Sequence, residues 1–479
     1  MKGKFIDDIS ANTLQVIINQ CCGLGIFYVL STYLNKNDFG EINWSLAVLL
    51  TIYGILACGI DQVSVKKVAS GDDAKQILSV YLSHVVLWGL LVYGLLLGGE
   101  LFFPSFFQKH YLLLLLAVAK LMFFFSTPFK QLATGLEKFR PLLYMSVCSN
   151  IARSAALLLL AGLQQLNLTA IVIIFIAGDL AELLVCIFVT KSIIKIPVIL
   201  RWNTTAYSAL LKESLPQLGV AIFTSVIARF DWIFLGLFAG NIIVAEYSFA
   251  YKVFEMATLP MLIIAPLLIP RFTKIFHPSA SIAVDKSNDL LVLLRIEMMV
   301  ASFTALVLNI LWVPVIDLIT AGKYGAVNHY SILILSASMP FLYLNNFLWT
   351  VNFAKGRLKM IFYNFAFTFC INIIADIILI PLYKAEGAAA GYLLAIIGQS
   401  IFYLYQTKLA GLGKSSFSVL LCPAAAIAGG LAASRLFNNV WAILFTAVPI
   451  FIFLLILTKQ LRRNDLQVLR RVTGLQGQP

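Results

Sequence analysis

The chain has 479 residues, 61% of them apolar and only 12% charged, about half the charged share of an ordinary soluble domain. That composition excludes a soluble enzyme, and its hydrophobicity excludes an intrinsically disordered chain. Lys and Arg number 35 against 22 Asp and Glu, a formal net charge of +13. In so apolar a chain this surplus is a question of membrane orientation, not of nucleic acid binding.

The apolar residues come in long runs. A spanning helix needs roughly 20 mostly apolar residues, because the hydrocarbon layer is about 30 Å thick and each helical residue rises about 1.5 Å. About fourteen such runs follow one another: 12–34, 41–65, 77–99, 111–134, 142–163, 169–190, 214–239, 246–270, 290–320, 328–354, 359–382, 387–409, 417–437 and 440–459. The fold class expected is an all-α polytopic membrane protein of two six-helix lobes plus two C-terminal helices. The first run is too long for a signal-peptide core, and no small-residue cleavage site follows Leu34, so it is expected to remain as the first span.

The loops alternate in charge. With the N-terminus inside, 26 Lys and Arg fall on the inner side, among them Lys66, Lys67, Lys130, Lys138, Lys355 and Arg357. Five fall outside: Lys36, Lys109, Lys323, Lys384 and Arg435. The asymmetry implies an even number of spans with both termini cytoplasmic. Outer loops such as Asn35–Gly40 and Lys384–Glu386 leave no room for a catalytic domain. The longest inner connection, 191–213, reads as a linker at the membrane surface between lobes 1–190 and 214–410; spans 13 and 14 occupy 411–459. The basic stretch within 460–479 reads as a tail held near anionic lipid.

Seven cysteines lie in apolar runs without CxxC spacing, and four histidines are scattered. Neither a disulfide framework nor a metal centre is expected, and no cofactor. Gly413-Lys414-Ser415 resembles the end of a phosphate-binding loop, but the Gly that should precede it by five positions is Lys408, so the motif fails. Asp7-Asp8 reads as helix-start acids.

Two echoes suggest a repeat. Asp38-Phe39-Gly40-Glu41-Ile42 after span one resembles Ile243-Val244-Ala245-Glu246-Tyr247 after span seven. Gly135-Leu136-Glu137-Lys138-Phe139-Arg140 after span four resembles Ala354-Lys355-Gly356-Arg357 after span ten. Both echoes sit at matching places of a six-span unit, which implies two lobes of like orientation. Prolines within the spans, such as Pro128, Pro216, Pro266, Pro314 and Pro423, remove helix hydrogen bonds and permit kinks.

Ionisable groups inside a bilayer are costly and mark function or pairing. Spans four to six hold Lys120, Arg153, Asp179 and Glu182; span seven holds Arg229 and Asp231; span eight holds Lys252 and Glu255; Asp376 lies in span eleven and Glu297 near the inner end of span nine. Lys252 and Glu255, three apart, can neutralise each other. Asp179 and Glu182 share a helix face. Either a cation such as Arg153 sits between them or they bind a proton or sodium. Lys120, Arg153, Arg229 and Lys252 are the candidate contacts for an anionic substrate, and Asp179, Glu182 and Asp231 the candidate ion-coupling groups.

The chain resembles the bacterial polysaccharide flippases of the multidrug/oligosaccharidyl-lipid/polysaccharide exporter superfamily. The resemblance lies in Asn12 with Gln15, in Tyr28-Val29-Leu30-Ser31-Thr32-Tyr33-Leu34 leading to Asp38-Phe39-Gly40, and in the Gly135–Arg140 turn. It continues in Arg229-Phe230-Asp231-Trp232 with Ala245-Glu246-Tyr247, and in Ile380-Pro381 followed by Glu386-Gly387-Ala388-Ala389. It implies a two-lobed fold with a central cavity and alternating access. It also implies translocation of an undecaprenyl-pyrophosphate-linked O-antigen or similar repeat unit across the bacterial inner membrane, with cavity cations meeting the pyrophosphate. The partners implied are the lipid-linked oligosaccharide, membrane lipids, and polysaccharide polymerase and chain-length proteins, with no nucleic acid. The rival readings are a cation-coupled multidrug exporter of the same fold and a polytopic sugar polymerase or transferase.

Overall fold

The structure is a computed structural model that describes residues 2–227, 229–261, 284–407 and 417–462, with 272, 412 and 465. Pro266, Arg271, Lys274, His277, Lys408, Gly413-Lys414-Ser415 and the tail charges Arg463, Arg470 and Arg471 lie outside the described residues. So do the side chains of Lys2, Lys4, Asp7, Asp8, Asn12, Pro216 and Lys286. Eleven of the described helices are long and apolar enough to cross a membrane, and the chain is an all-α polytopic protein. It clusters into two compact units, Met1–Ala245 and Glu246–Pro479.

The first unit contains α1 (Lys2–Tyr33), α2 (Lys36–Leu56), α3 (Ile60–Ala69), α4 (Ala74–Phe102), α5 (Pro104–Lys109), α6 (Leu112–Gly135), α7 (Phe139–Gly162), α8 (Leu168–Val189), α9 (Thr204–Ile227) and α10 (Phe230–Phe238). Short polar residues start several of these helices. The Asn35 side chain accepts from the Asp38 N–H at 2.8 Å, Asp73 from Lys75 at 3.0 Å and Asn167 from Ala170 at 2.8 Å. Each supplies an acceptor for an N–H that has no partner within the helix.

Two boundaries differ from the sequence reading. The apolar run 41–65 does not continue as one helix, because Cys58 (φ 50°) and Gly59 (φ 68°) take left-handed backbone between α2 and α3. The expected linker 191–213 is partly helical: Asn203 caps α9 by accepting from Ala206 at 3.1 Å. The start of α9 is also tied to α3. Lys67 Nζ lies 2.8 Å from Glu213 Oε1, and that hydrogen bond raises the Lys67 ammonium above its ordinary range. Helices α9 and α10, assigned by sequence to the second lobe, cluster with the first unit. Trp44 on α2 donates its indole N–H to the Ile233 carbonyl at 3.1 Å, over Gly236 on α10.

Helix α11 (Asn241–Ala257) begins in the first unit. The second unit continues with α12 (Val284–Thr320), α13 (His329–Ala337), α14 (Met339–Ala354), α15 (Leu358–Gln406), α16 (Ser418–Leu436) and α17 (Val440–Leu457). The 49-residue α15 is two spans joined at Lys384, whose φ of 51° and ψ of −120° interrupt the helix, within the expected 384–386 loop. Buried residues on α17 are Ala447, Phe451 and Leu455, one per turn. They meet the small-residue face of α16, where Gly429 lies against the Ala447 carbonyl, a close approach typical of membrane helices. The rest of α17 presents Phe445, Phe453 and Leu457 outward, as a lipid-facing helix does.

The second sequence echo is a shared turn. After α6, Glu137 has φ 55°, its N–H reaches the Thr134 carbonyl at 3.0 Å, and Lys138 N–H reaches Ala133 at 2.9 Å. After α14, Gly356 has φ 70°, its N–H reaches Phe353 at 2.9 Å, and Arg357 N–H reaches Asn352 at 3.0 Å. Both copies close the helix with the same pair of bonds, a left-handed C-terminal cap.

Candidate functional site

Helices α6, α7 and α8 of the first unit bring five charged side chains together. At mid-helix, Asp179 on α8 is fully buried. Its Oδ2 accepts from Lys120 Nζ of α6 at 2.8 Å and its Oδ1 from the Arg153 guanidinium of α7 at 2.5 Å. One turn further along α8, Glu182 forms a second tier. Lys130 of α6 pairs with its Oε1, Ser126 donates to the same oxygen at 3.3 Å, and Ser149 of α7 donates to Oε2 at 2.8 Å.

The two lysines are ten residues apart, about 15 Å along α6, whereas their carboxylates are three apart, about 4.5 Å along α8. Their long stems therefore converge from opposite directions. Aromatic rings wall the network. Phe123 has Lys120 Nζ at 5.2 Å and Lys130 Nζ at 4.5 Å from its centroid; Phe175 has Lys120 at 5.9 Å and the Arg153 guanidinium at 5.5 Å. Gly178 makes room for the guanidinium: a Cβ there would lie 2.6 Å from Arg153 Nε. Three cations face two carboxylates, so the fully ionised cluster carries one net positive charge. Each cation is held on an acidic partner in a low-dielectric setting, where losing a partner is expensive. An anion that replaced the carboxylates would meet donors already gathered.

The structure unites some predicted residues and separates others. Lys120, Arg153, Asp179 and Glu182 share this network, but Arg153 does not sit between the two carboxylates; it shares Asp179 with Lys120, and Glu182 takes Lys130. Arg229 stands at the break between α9 and α10, half-buried, its guanidinium 5.5 Å from the Trp232 ring. Asp231 is buried in the first turn of α10 and accepts from the Trp232 N–H at 2.8 Å. Lys252 pairs with Glu255 at 2.7 Å on one face of α11, in an exposed pair.

Sequence reading missed Lys130, which looks like an inner-loop charge because it lies five residues from the end of α6. Ser149 had a signal: it stands one turn before Arg153 on the same face. A second buried pair was also missed. His110 Nδ1 lies 3.0 Å from Glu41 Oε2, with Trp44 stacked on the imidazole at 3.9 Å. All three residues are buried. Of the seven cysteines, all free, Cys186 and Cys422 are buried, whereas Cys21, Cys148 and Cys370 lie on outward faces.

Residues 5–276, more than half of the chain, match the family described as polysaccharide biosynthesis protein. The chain belongs to that family. No curated protein matches. Among solved structures, the lipid II flippase MurJ in an inward closed conformation is similar at a TM-score of 0.72 and 15% identity, covering 97% of this chain and 99% of that one. An inward-facing multidrug resistance MATE family transporter of the MOP superfamily is similar at 0.63 and 11%, covering 85% and 98%. A MOP superfamily transporter from Pyrococcus furiosus is similar at 0.53 and 12%, covering 86% and 93%. At these identities the likeness shows the fold alone: this member of the polysaccharide biosynthesis family has the fold shared by MurJ and the MATE transporters.

Proposed function

We propose that the protein is a flippase, not an enzyme. Its cargo is an undecaprenyl-pyrophosphate-linked oligosaccharide, an O-antigen or similar polysaccharide repeat unit. It moves this cargo from the inner to the outer leaflet of the bacterial cytoplasmic membrane. The N-terminal lobe (1–190) and the C-terminal lobe (214–410) rock in alternating access, joined by the linker 191–213. Spans 13 and 14 (411–459) flank them, and both termini are cytoplasmic.

The observation that carries this reading is the buried cluster of Lys120, Lys130 and Arg153 over Asp179 and Glu182, in a chain of a polysaccharide biosynthesis family. In the proposed cycle the carboxylates hold the cations in position. The pyrophosphate then displaces the carboxylates, a charge-assisted exchange that spares the cations an unpaired state. Arg229 supplies a further cation, and Lys252 does so when it leaves Glu255. Transport is coupled to an ion, with Asp179, Glu182 and Asp231 as its carboxylates in the first unit. A polymerase and chain-length proteins receive the cargo on the far side. A multidrug exporter for organic cations fits less well with a cluster that carries more cations than acids.

The reading is tested by deleting the gene in a strain with no second flippase and measuring surface polysaccharide. Loss of polymer with accumulation of lipid-linked units on the inner leaflet is expected. Unchanged polymer would refute it.

A further inference from the structure

In the second unit, Glu297 on α12 is 3% exposed, and among the described residues neither of its carboxylate oxygens has a hydrogen-bond partner. It stands among apolar neighbours in the run Leu290–Thr320, where it departs from the other carboxylates described above. Asp179 and Glu182 have cations and hydroxyls on their oxygens, and Glu41 has His110 and Ser45.

The elements packed against α12 are α13, α14, α16 and α17. Their titratable or charged groups are His329 and Tyr330 on α13, Tyr343 on α14, and Cys422 and Arg435 on α16; α17 has none. Of these, Tyr343 and Cys422 are buried. The Arg295 guanidinium, two residues from Glu297, is engaged by Asp465 beyond the last span. Residues two apart on a helix point to different faces, so this arginine does not serve Glu297.

A carboxylate with no counter-ion and no donor cannot stay charged in such surroundings; it takes up a proton and becomes a neutral acid. We propose that Glu297 is a proton-binding site, and that it couples transport by holding its proton in the packed state and releasing it when the second unit rearranges to admit water. The coupling part of this proposal rests on the transporter reading; the proton site does not. A proton suits the site because it needs no cavity.

The experiment uses the full-length protein in two preparations. In lipid nanodiscs, infrared spectra at neutral pH are compared for the wild type and Glu297→Gln, which mimics the neutral acid. The expected result is a protonated-carboxyl C=O band that shifts in deuterated water and is lost in the variant. A band unchanged by the substitution overturns the proposal. In proteoliposomes, flipping of a pyrophosphate-linked oligosaccharide is measured with and without a proton gradient. Stimulation by the gradient is expected in the wild type, lost in Glu297→Gln and restored in Glu297→Asp. Stimulation that survives in Glu297→Gln overturns the coupling role. A wild type that flips no probe contradicts the flippase reading and the coupling that rests on it, while the infrared band still decides the proton site.

Discussion

Asp179 is the residue on which the buried cluster turns, and Asp179→Asn tests it. The side chain is fully buried and accepts from Lys120 at 2.8 Å and from Arg153 at 2.5 Å. Replacing the carboxylate by an amide of the same size leaves two cations in an apolar interior without their counter-charge. Breaking one buried pair costs about 3–5 kcal/mol. For a unit of this size each kcal/mol lowers the midpoint of thermal unfolding by roughly 2–4 °C, so a fall of roughly 6–20 °C is expected. The assay is thermal unfolding of the purified protein, followed by intrinsic fluorescence. The cycle is completed with Lys120→Met and the double variant Lys120→Met/Asp179→Asn. Removing one surplus cation should return part of the loss, a coupling of about 0.5–3 kcal/mol. If Asp179→Asn unfolds with the wild type, or if the two substitutions simply add, the cluster is not the linked network described.

Gly178→Ala should push the Arg153 guanidinium off Asp179, because the new Cβ would lie 2.6 Å from Nε; a destabilisation of about 1–3 kcal/mol and reduced surface polymer are expected, and wild-type behaviour in both would contradict the geometry. Gly40→Ala places a Cβ 1.8 Å from the Asn241 carbonyl oxygen, a backbone clash that no rotamer relieves; the variant should be recovered from membranes at much lower yield. His110→Ala removes the imidazole that hydrogen-bonds the buried Glu41 and should cost about 1–3 kcal/mol in the same unfolding assay. Lys252→Ala removes one half of the solvent-accessible pair with Glu255 and should change stability by less than about 0.5 kcal/mol; a larger loss would show that Lys252 has a further role.

The helices were legible because hydrophobic run length measures the membrane directly. The joint at Lys384 was legible too, since a short polar interruption between two apolar runs must turn. The break at Cys58–Gly59 was not, because the apolar composition continues across it while the backbone does not. The start of α9 was obscured by its polar first turns, which rest on α3 through Lys67 and Glu213 and need no apolar run. Of the buried cluster, the residues on spans four to six were visible as misplaced charges. Their pairing was not: which lysine meets which carboxylate depends on how α6 lies beside α8, and Lys130 hid near a helix end. The His110–Glu41 pair, joined across 69 positions, left no local pattern. The turn after span four and its echo after span ten share their capping bonds although only parts of their sequences match.

The proposed activity is movement of a pyrophosphate-linked saccharide across the bilayer. It is met most directly in proteoliposomes holding the purified protein and a lipid-linked oligosaccharide, with a soluble saccharide-cleaving enzyme added outside. Without flipping, the enzyme reaches only the outer-leaflet pool. The wild type is expected to expose the inner-leaflet pool as well, and replacing Lys120 and Arg153 together by Met is expected to abolish this. Protein-containing vesicles whose inner pool stays as protected as in empty vesicles would contradict it.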